Sequence, residues 1–263
     1  MGKQRDMTIW EHIGELRNRL LIVLLVFVIG LAVGLYYAGP VVMYLQQTPM
    51  ANLSMNTLVS LKPSDALQVY MQFAFLVSMI MTTPVFLLQL WAFVKPGLKP
   101  HETKLTLSFI PVICLLFLVG LAFGYYVVFP LVVLFMTNIN VQLGTPVMWG
   151  LGEYFSFMFN MIVPFGFLFE LPILVILLTR LRIINPVRLS KIRRYAYFIL
   201  AFIAIVITPP DFMSDFIVMI PLFVLYEISV FLSKVIYRQQ LKEDEAWERE
   251  YGGVEVQADS EIK

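Results

Sequence analysis

Apolar positions in this chain are not spaced for one side of a helix or strand; they run on without charge. Leu20 to Tyr37, Ala66 to Val94, Leu105 to Gly152 and Tyr195 to Pro210 contain no Asp, Glu, Lys or Arg. A helix needs about 20 apolar residues to cross the hydrocarbon of a bilayer, so the longest run must be cut. Its clearest turn signal is Thr137-Asn-Ile-Asn140 followed by Gly144-Thr-Pro146. The pattern predicts an all-α integral membrane protein of six transmembrane helices, near residues 19–38, 67–89, 105–130, 153–179, 194–208 and 213–234. Spans five and six are short: Tyr195 to Pro209 is 15 residues, about 22 Å against a hydrocarbon core of about 30 Å. Between spans one and two, residues 39–65 carry Pro40, Pro49 and Pro63 and read as a structured external cap. Residues 1–238 form the membrane domain. Residues 239–263 form an acidic cytoplasmic tail, with eight acids from Lys242 onward, predicted to be disordered.

Composition agrees. The chain is 59% apolar and 14% charged, with mean hydropathy +0.80, against about 45–50% and 25% for a soluble domain. A net charge of +1 offers no basic field for nucleic acid. The N-terminal segment holds Asp6, Glu11 and Glu15 beside its bases and has no small-residue cleavage pattern, so the first apolar run reads as a retained helix. Six spans place 18 of the 19 Lys and Arg residues on one side, leaving Lys62 alone opposite. Because basic residues are held on the cytoplasmic side, both termini are expected there, in a multi-pass protein of the cytoplasmic (inner) membrane.

The chemistry available to such a chain is limited. His12 and His101 are the only histidines, and both fall on the cytoplasmic side, which excludes an intramembrane Ser–His dyad or a His-based metal site; no enzyme, cofactor or metal is expected. Cys114 is the only cysteine and forms no intrachain disulfide. Gly30-Leu-Ala-Val-Gly34 and Gly120-Leu-Ala-Phe-Gly124 read as close-packing surfaces of spans one and three.

The acids are more informative. Thr8-Ile-Trp-Glu11 is a capping box that starts a helix leading into span one. Ile9, Ile13, Leu16 and Leu20 form its apolar stripe, leaving Glu15 on another face. Glu15 is placed either to pair with Arg19 at i+4 or to bind a cationic ligand. Glu102, in the loop Gln89-Leu-Trp-Ala-Phe-Val-Lys-Pro-Gly-Leu-Lys-Pro-His-Glu102, has the same two readings, as partner of Lys95, Lys99 or Lys104 or as half of a cation site with Glu15. Glu170 lies about 15 Å from one end of span four and 25 Å from the other. Pro164 and Pro172 bracket it and leave the carbonyls of Asn160 and Leu168 without donors. It either bonds such a carbonyl or faces the concave interior of the bundle and meets a partner. An ion-coupled small-solute transporter using Glu170 is the alternative class, though no duplicated halves are visible.

These residues fall into motifs. His12-Ile-Gly-Glu-Leu-Arg-Asn-Arg-Leu20, Gln89-Leu-Trp-Ala-Phe-Val-Lys-Pro-Gly-Leu98 with Glu102, Phe167-Leu-Phe-Glu-Leu-Pro172 and Thr208-Pro-Pro-Asp211 occur in an order that resembles the TatC family, the multispanning subunit of the twin-arginine protein translocase. The resemblance covers His12 to about Tyr237. It implies a core and signal-recognition subunit that binds Arg-Arg signal peptides of folded proteins, self-associates in a larger complex, works with single-span TatA-type and, in some organisms, TatB-type partners and is driven by the proton-motive force. It also implies a signal-peptide surface of Glu15, Arg17, Phe93 and Glu102, an intramembrane acid at Glu170 and an external acid at Asp211. Guanidinium offers a planar fork of donors that fits a carboxylate, so two arginines suit two carboxylates.

Overall fold

The computed structural model describes residues 9–51, 58–94, 100–144, 148–180, 182–208 and 212–261; side chains are described at 14–45, 58–90, 92, 110–144, 148–180, 182–208, 212–242 and 245. The helices fall into two compact units, one ending at Leu168 and the other starting at Phe169.

In the first unit, α1 (Ile9–Ala51) leads through β1 (Leu58–Val59) to α2 (Asp65–Val94). Next comes a rod made of α3 (Pro100–Phe123), a π-helical turn (Gly124–Val128) and α4 (Phe129–Gln142), followed by β2 (Trp149–Gly150) and α5 (Leu151–Leu168). α1 is described from Ile9 onward; Thr8, the cap residue of the predicted capping box, lies outside the described residues. It packs closely along α2. A Cβ on Gly34 would lie 2.6 Å from the Ala74 Cα and one on Gly30 2.8 Å from the Ser78 Cα, so only glycine permits this approach. Ser78 Oγ donates to the Phe27 carbonyl at the same crossing. Phe73, Phe117, Phe129, Tyr154, Phe155 and Phe165 are at most 2% exposed and form the core. Leu20, Leu21, Leu24, Leu25 and Val28 of α1 are exposed, as lipid-facing residues should be.

Two boundaries differ from the sequence expectation. α1 does not stop near residue 38 but continues through Pro40 and Pro49 to Ala51, leaving a shorter connection than the predicted 39–65. The third rod extends past Thr137-Asn-Ile-Asn140 to Gln142. There Thr137 Oγ1 donates to Val133 O at 2.8 Å and Asn140 Nδ2 to Met136 O at 3.1 Å, so both side chains bond back onto their own helix and do not break it. The stop is Gly144, at φ +68°, a conformation that favours glycine.

At the opposite end from Glu15, β1 pairs in parallel with β2, Leu58 against Trp149 and Val59 against Gly150. The Asp65 carboxylate, 1% exposed, accepts from the backbone N–H groups of Leu61 (2.8 Å) and Lys62 (3.0 Å). Lys62 Nζ meets Glu153 at 3.3 Å.

The second unit contains α6 (Leu171–Arg180), α7 (Pro186–Lys191), α8 (Arg193–Ile207) and α9 (Phe212–Glu261). α6 packs on α9, where Thr179 Oγ1 and Ser233 Oγ share a buried bond of 2.7 Å. α8 has the 15-residue length expected of a short span. In α9 the apolar residues give way to Lys234, Arg238 and Lys242, where the predicted span 213–234 ends, and the backbone stays helical past Lys242 to Glu261. Gln239 to Glu250 consists mostly of good helix formers, Asp244 and Trp247 apart, which extends a helix that membrane packing has already nucleated. Five segments are long and apolar enough to cross a membrane, residues 151–180 among them, and with the shorter α8 they match the six predicted crossings.

Candidate functional site

Where α1 enters the membrane, its polar face holds an acceptor cluster. Arg19 Nε donates to Glu15 Oε1 at 3.1 Å, and its Nη2 reaches the same oxygen. Nη1 reaches the Gln89 carbonyl at 3.4 Å and Gln89 Oε1 at 3.3 Å, and Nη2 the Ala92 carbonyl at 3.2 Å. Gln89 and Ala92 belong to the last described turns of α2, where carbonyls lie at the negative end of the helix dipole, and Pro96 has no N–H to offer the Ala92 carbonyl. A carboxylate from α1 and carbonyls from α2 thus converge on one guanidinium. Glu15 and Arg19 side chains are 27% and 20% exposed. The i+4 reading of Glu15 is therefore realised, but the pair uses only Oε1; Oε2 has no partner among the described residues. Arg17, on the same helix, is exposed. Beside the cluster lies a hollow of about 60 Å³ lined by Leu16, Leu20, Val23, Phe86 and Leu90.

The other two predicted members of this surface are placed only by their backbone. Phe93 is in the last turn of α2 and Glu102 in the first turn of α3. Their side chains, like the whole of Asp211, lie outside the described residues. The contribution of the Gln89 and Ala92 carbonyls has no sequence signal, because a backbone acceptor near a helix end leaves no residue-type signature.

Glu170 lies in the break between α5 and α6. Pro172 has no N–H to offer the Leu168 carbonyl, and α5 ends at that residue; Leu174 N donates to Glu170 O at 3.0 Å and starts the next helix. Pro164 by contrast sits inside a continuous α5, so the interruption comes from one proline, not two. Both carboxyl oxygens of Glu170 are buried and have no hydrogen-bond partner among the described residues. The expected bond to a freed carbonyl is absent there. Separately, the first unit has a cavity of about 590 Å³ between α1, α2 and α5, apolar except for Gln72 and Asn160. Gln72 Nε2 and Gln68 Nε2 each donate to Ser156 Oγ at 2.8 Å.

A second intramembrane acid escaped the sequence reading. Glu227 of α9 accepts from Arg193 Nη2 at 2.9 Å and from the Tyr197 hydroxyl, both on α8. The signal was available: Glu227 interrupts an apolar run, and Arg193 and Arg194 open the preceding span.

The family described as Sec-independent protein translocase protein (TatC) matches residues 11–221. The chain is 49% identical over 244 residues to the translocase protein TatCy of Bacillus subtilis, covering 93% of this chain and 95% of that one. It is 32% identical to TatC of Escherichia coli, covering 89% and 91%. A crystal structure described as the twin arginine translocase receptor TatC, 33% identical, superposes with a TM-score of 0.76 over 86% of this chain and 99% of that one. These likenesses do not favour the solute-transporter alternative.

Proposed function

The chain belongs to the TatC family of Sec-independent protein translocase proteins, and on that premise we propose that it is the core subunit that recognises Arg-Arg signal peptides of folded proteins. It is a multi-pass protein of the cytoplasmic membrane and a translocase subunit, not an enzyme. The single observation that supports signal recognition most directly is the acceptor cluster of Glu15, Gln89 and Ala92: it already holds a guanidinium, that of Arg19. Glu15 Oε2 is open to a second guanidinium, and Glu102, at the start of α3, receives the other arginine of the pair. Arg17 and Phe93 complete the surface, and the neighbouring hollow takes an aliphatic side chain of the same peptide. Exposed ion pairs contribute only about 0.2–1 kcal/mol, whereas hydrogen bonds to charged groups at protected sites contribute about 1.5–3 kcal/mol. Selection for arginine therefore depends on the partial burial of Glu15.

In this reading both termini and the loops around Lys99 and Arg188 face the cytoplasm, and TatA-type and TatB-type single-span subunits join a larger complex that includes further copies of this chain. Glu170 meets a polar group of such a subunit or of the passing peptide, Asp211 contributes an external acid, and the proton-motive force drives transport. Removing the protein from cells should block export of a folded reporter bearing an Arg-Arg signal peptide and leave uptake of small solutes unchanged; normal export would refute the proposal.

A further inference from the structure

The second unit contains a polar pocket of about 300 Å³ where α6 ends and α9 leaves its apolar stretch. The apolar run that includes α6 closes at Arg180, and that of α9 gives way to Lys234, Arg238 and Lys242; basic residues at the ends of two membrane-length runs put the pocket at the depth of lipid headgroups. Its wall carries Arg182 and Arg188. Arg188 is exposed, and its side chain makes no ion pair or hydrogen bond among the described residues. Gln240 lies deeper, 7% exposed. Its Nε2 donates to the Arg180 carbonyl at 2.9 Å, while its Oε1 is buried with no hydrogen-bond partner among the described residues. Asn185 and Tyr237 meet through a side-chain contact of 3.4 Å and add polar surface. Apolar residues flank the mouth: Ile183 is 60% and Leu241 45% exposed.

We propose that this pocket binds the headgroup of an anionic phospholipid, with Arg182 and Arg188 on the phosphate and Gln240 Oε1 accepting from a headgroup hydroxyl. Arginine suits phosphate because its parallel donors engage two oxygens at once, and basic pockets between membrane helices take anionic headgroups. The orphaned Gln240 oxygen needs a donor, which the glycerol hydroxyls of phosphatidylglycerol supply and a choline headgroup does not. Ile183 and Leu241 give the acyl chains a place to lie, which a free phosphate would not use. Nor is Arg182 where folding alone would put an arginine. Arg182 N donates to Thr179 O and Ile183 N to Leu178 O, both at 3.0 Å, a helix-ending motif whose left-handed position is usually glycine. Arg182 occupies it at φ +59°.

That geometry yields a variant that separates folding from binding. Arg182→Gly relieves the left-handed backbone and should leave the melting temperature of the delipidated protein unchanged or higher. The purified full chain would be titrated with phosphatidylglycerol, with phosphatidylcholine of the same acyl chains and with inorganic phosphate, and bound species read by native mass spectrometry. Phosphatidylglycerol should bind most tightly, Arg182→Gly and Arg188→Ala should each weaken it about tenfold, and Arg194→Ala, on α8, should not. Equal weakening by Arg194→Ala would reduce the effect to general surface charge and overturn the proposal. So would equal binding of phosphatidylcholine, or arginine-dependent binding of inorganic phosphate that displaces the lipid.

Discussion

In the proposed function, Arg19 stands in for the guanidinium ligand of the Glu15 cluster. Its bonds tie α1 to the end of α2 and hold Glu15 in one orientation, so Arg19→Ala should act in two ways. Stability should fall by about 1–3 kcal/mol as the charged hydrogen bonds disappear, measurable by thermal unfolding in detergent. Peptide affinity should also fall, because Glu15 loses the partner that positions it, although the acceptor oxygens remain. The Glu227 cluster makes a comparable prediction for α8 and α9. Glu227→Ala removes the partner of both Arg193 and Tyr197 and so breaks both of these contacts between α8 and α9 at once. Tyr197→Phe removes one hydrogen bond, worth about 0.5–1.5 kcal/mol. Unfolding should therefore rank Glu227→Ala well below Tyr197→Phe, and equal stabilities would show that the cluster does not clamp the two helices. Glu15 was legible in the sequence because it lay off the apolar stripe of its helix. Its actual partners were only half legible, since Arg19 is four residues away but Gln89 and Ala92 arrive from another helix.

At the scale of elements, the charge-free runs specified the helices and the polar punctuation misplaced some of their ends. Pro40 and Asn140 looked like stops, but a proline removes one donor and a helix in a nonpolar medium retains the rest of its bonds. Asn140 and Thr137 bond their own preceding turn. A signal that breaks an isolated helix is thus overridden when the alternative is unpaired backbone in lipid. The α1–α2 contact was readable as a small-residue motif, and its tightness gives a sharp expectation: Gly34→Val drives a side chain into the Ala74 backbone, 2.6 Å from the Cβ position, and should cost about 1–3 kcal/mol, seen as a lowered melting temperature. The Pro172 break leads to a test of Glu170. Glu170→Gln keeps hydrogen-bonding capacity and should preserve much of the export activity, whereas Glu170→Ala should impair crosslinking to a single-span partner without removing Arg-Arg peptide binding. Wild-type partner crosslinking and export in Glu170→Ala would assign the carboxyl a purely structural role.

For the whole molecule, the distribution of Lys and Arg makes orientation a claim that labelling can check. With Cys114 replaced, single cysteines at Lys99 and Arg188 should resist an impermeant thiol reagent in intact cells, while those at Asn52 and Gly144 should react; the reverse pattern would invert the protein and put Glu15 on the wrong side for cytoplasmic cargo. The family motifs made the translocase family legible in the sequence, but not the lipid pocket, because Arg182, Arg188 and Gln240 converge only when α6 and α9 pack. The central claim is that two carboxylates at the membrane surface select paired guanidinium groups. It is tested most directly by photo-crosslinking the purified full-length chain to a signal peptide carrying the probe beside its arginines. The Arg-Arg peptide should crosslink, Glu15→Ala or Glu102→Ala should each abolish the product, and a Lys-Lys peptide should bind about tenfold more weakly or worse. Undiminished crosslinking in the Glu15→Ala/Glu102→Ala double variant, or equal crosslinking of the Lys-Lys peptide, would contradict the account.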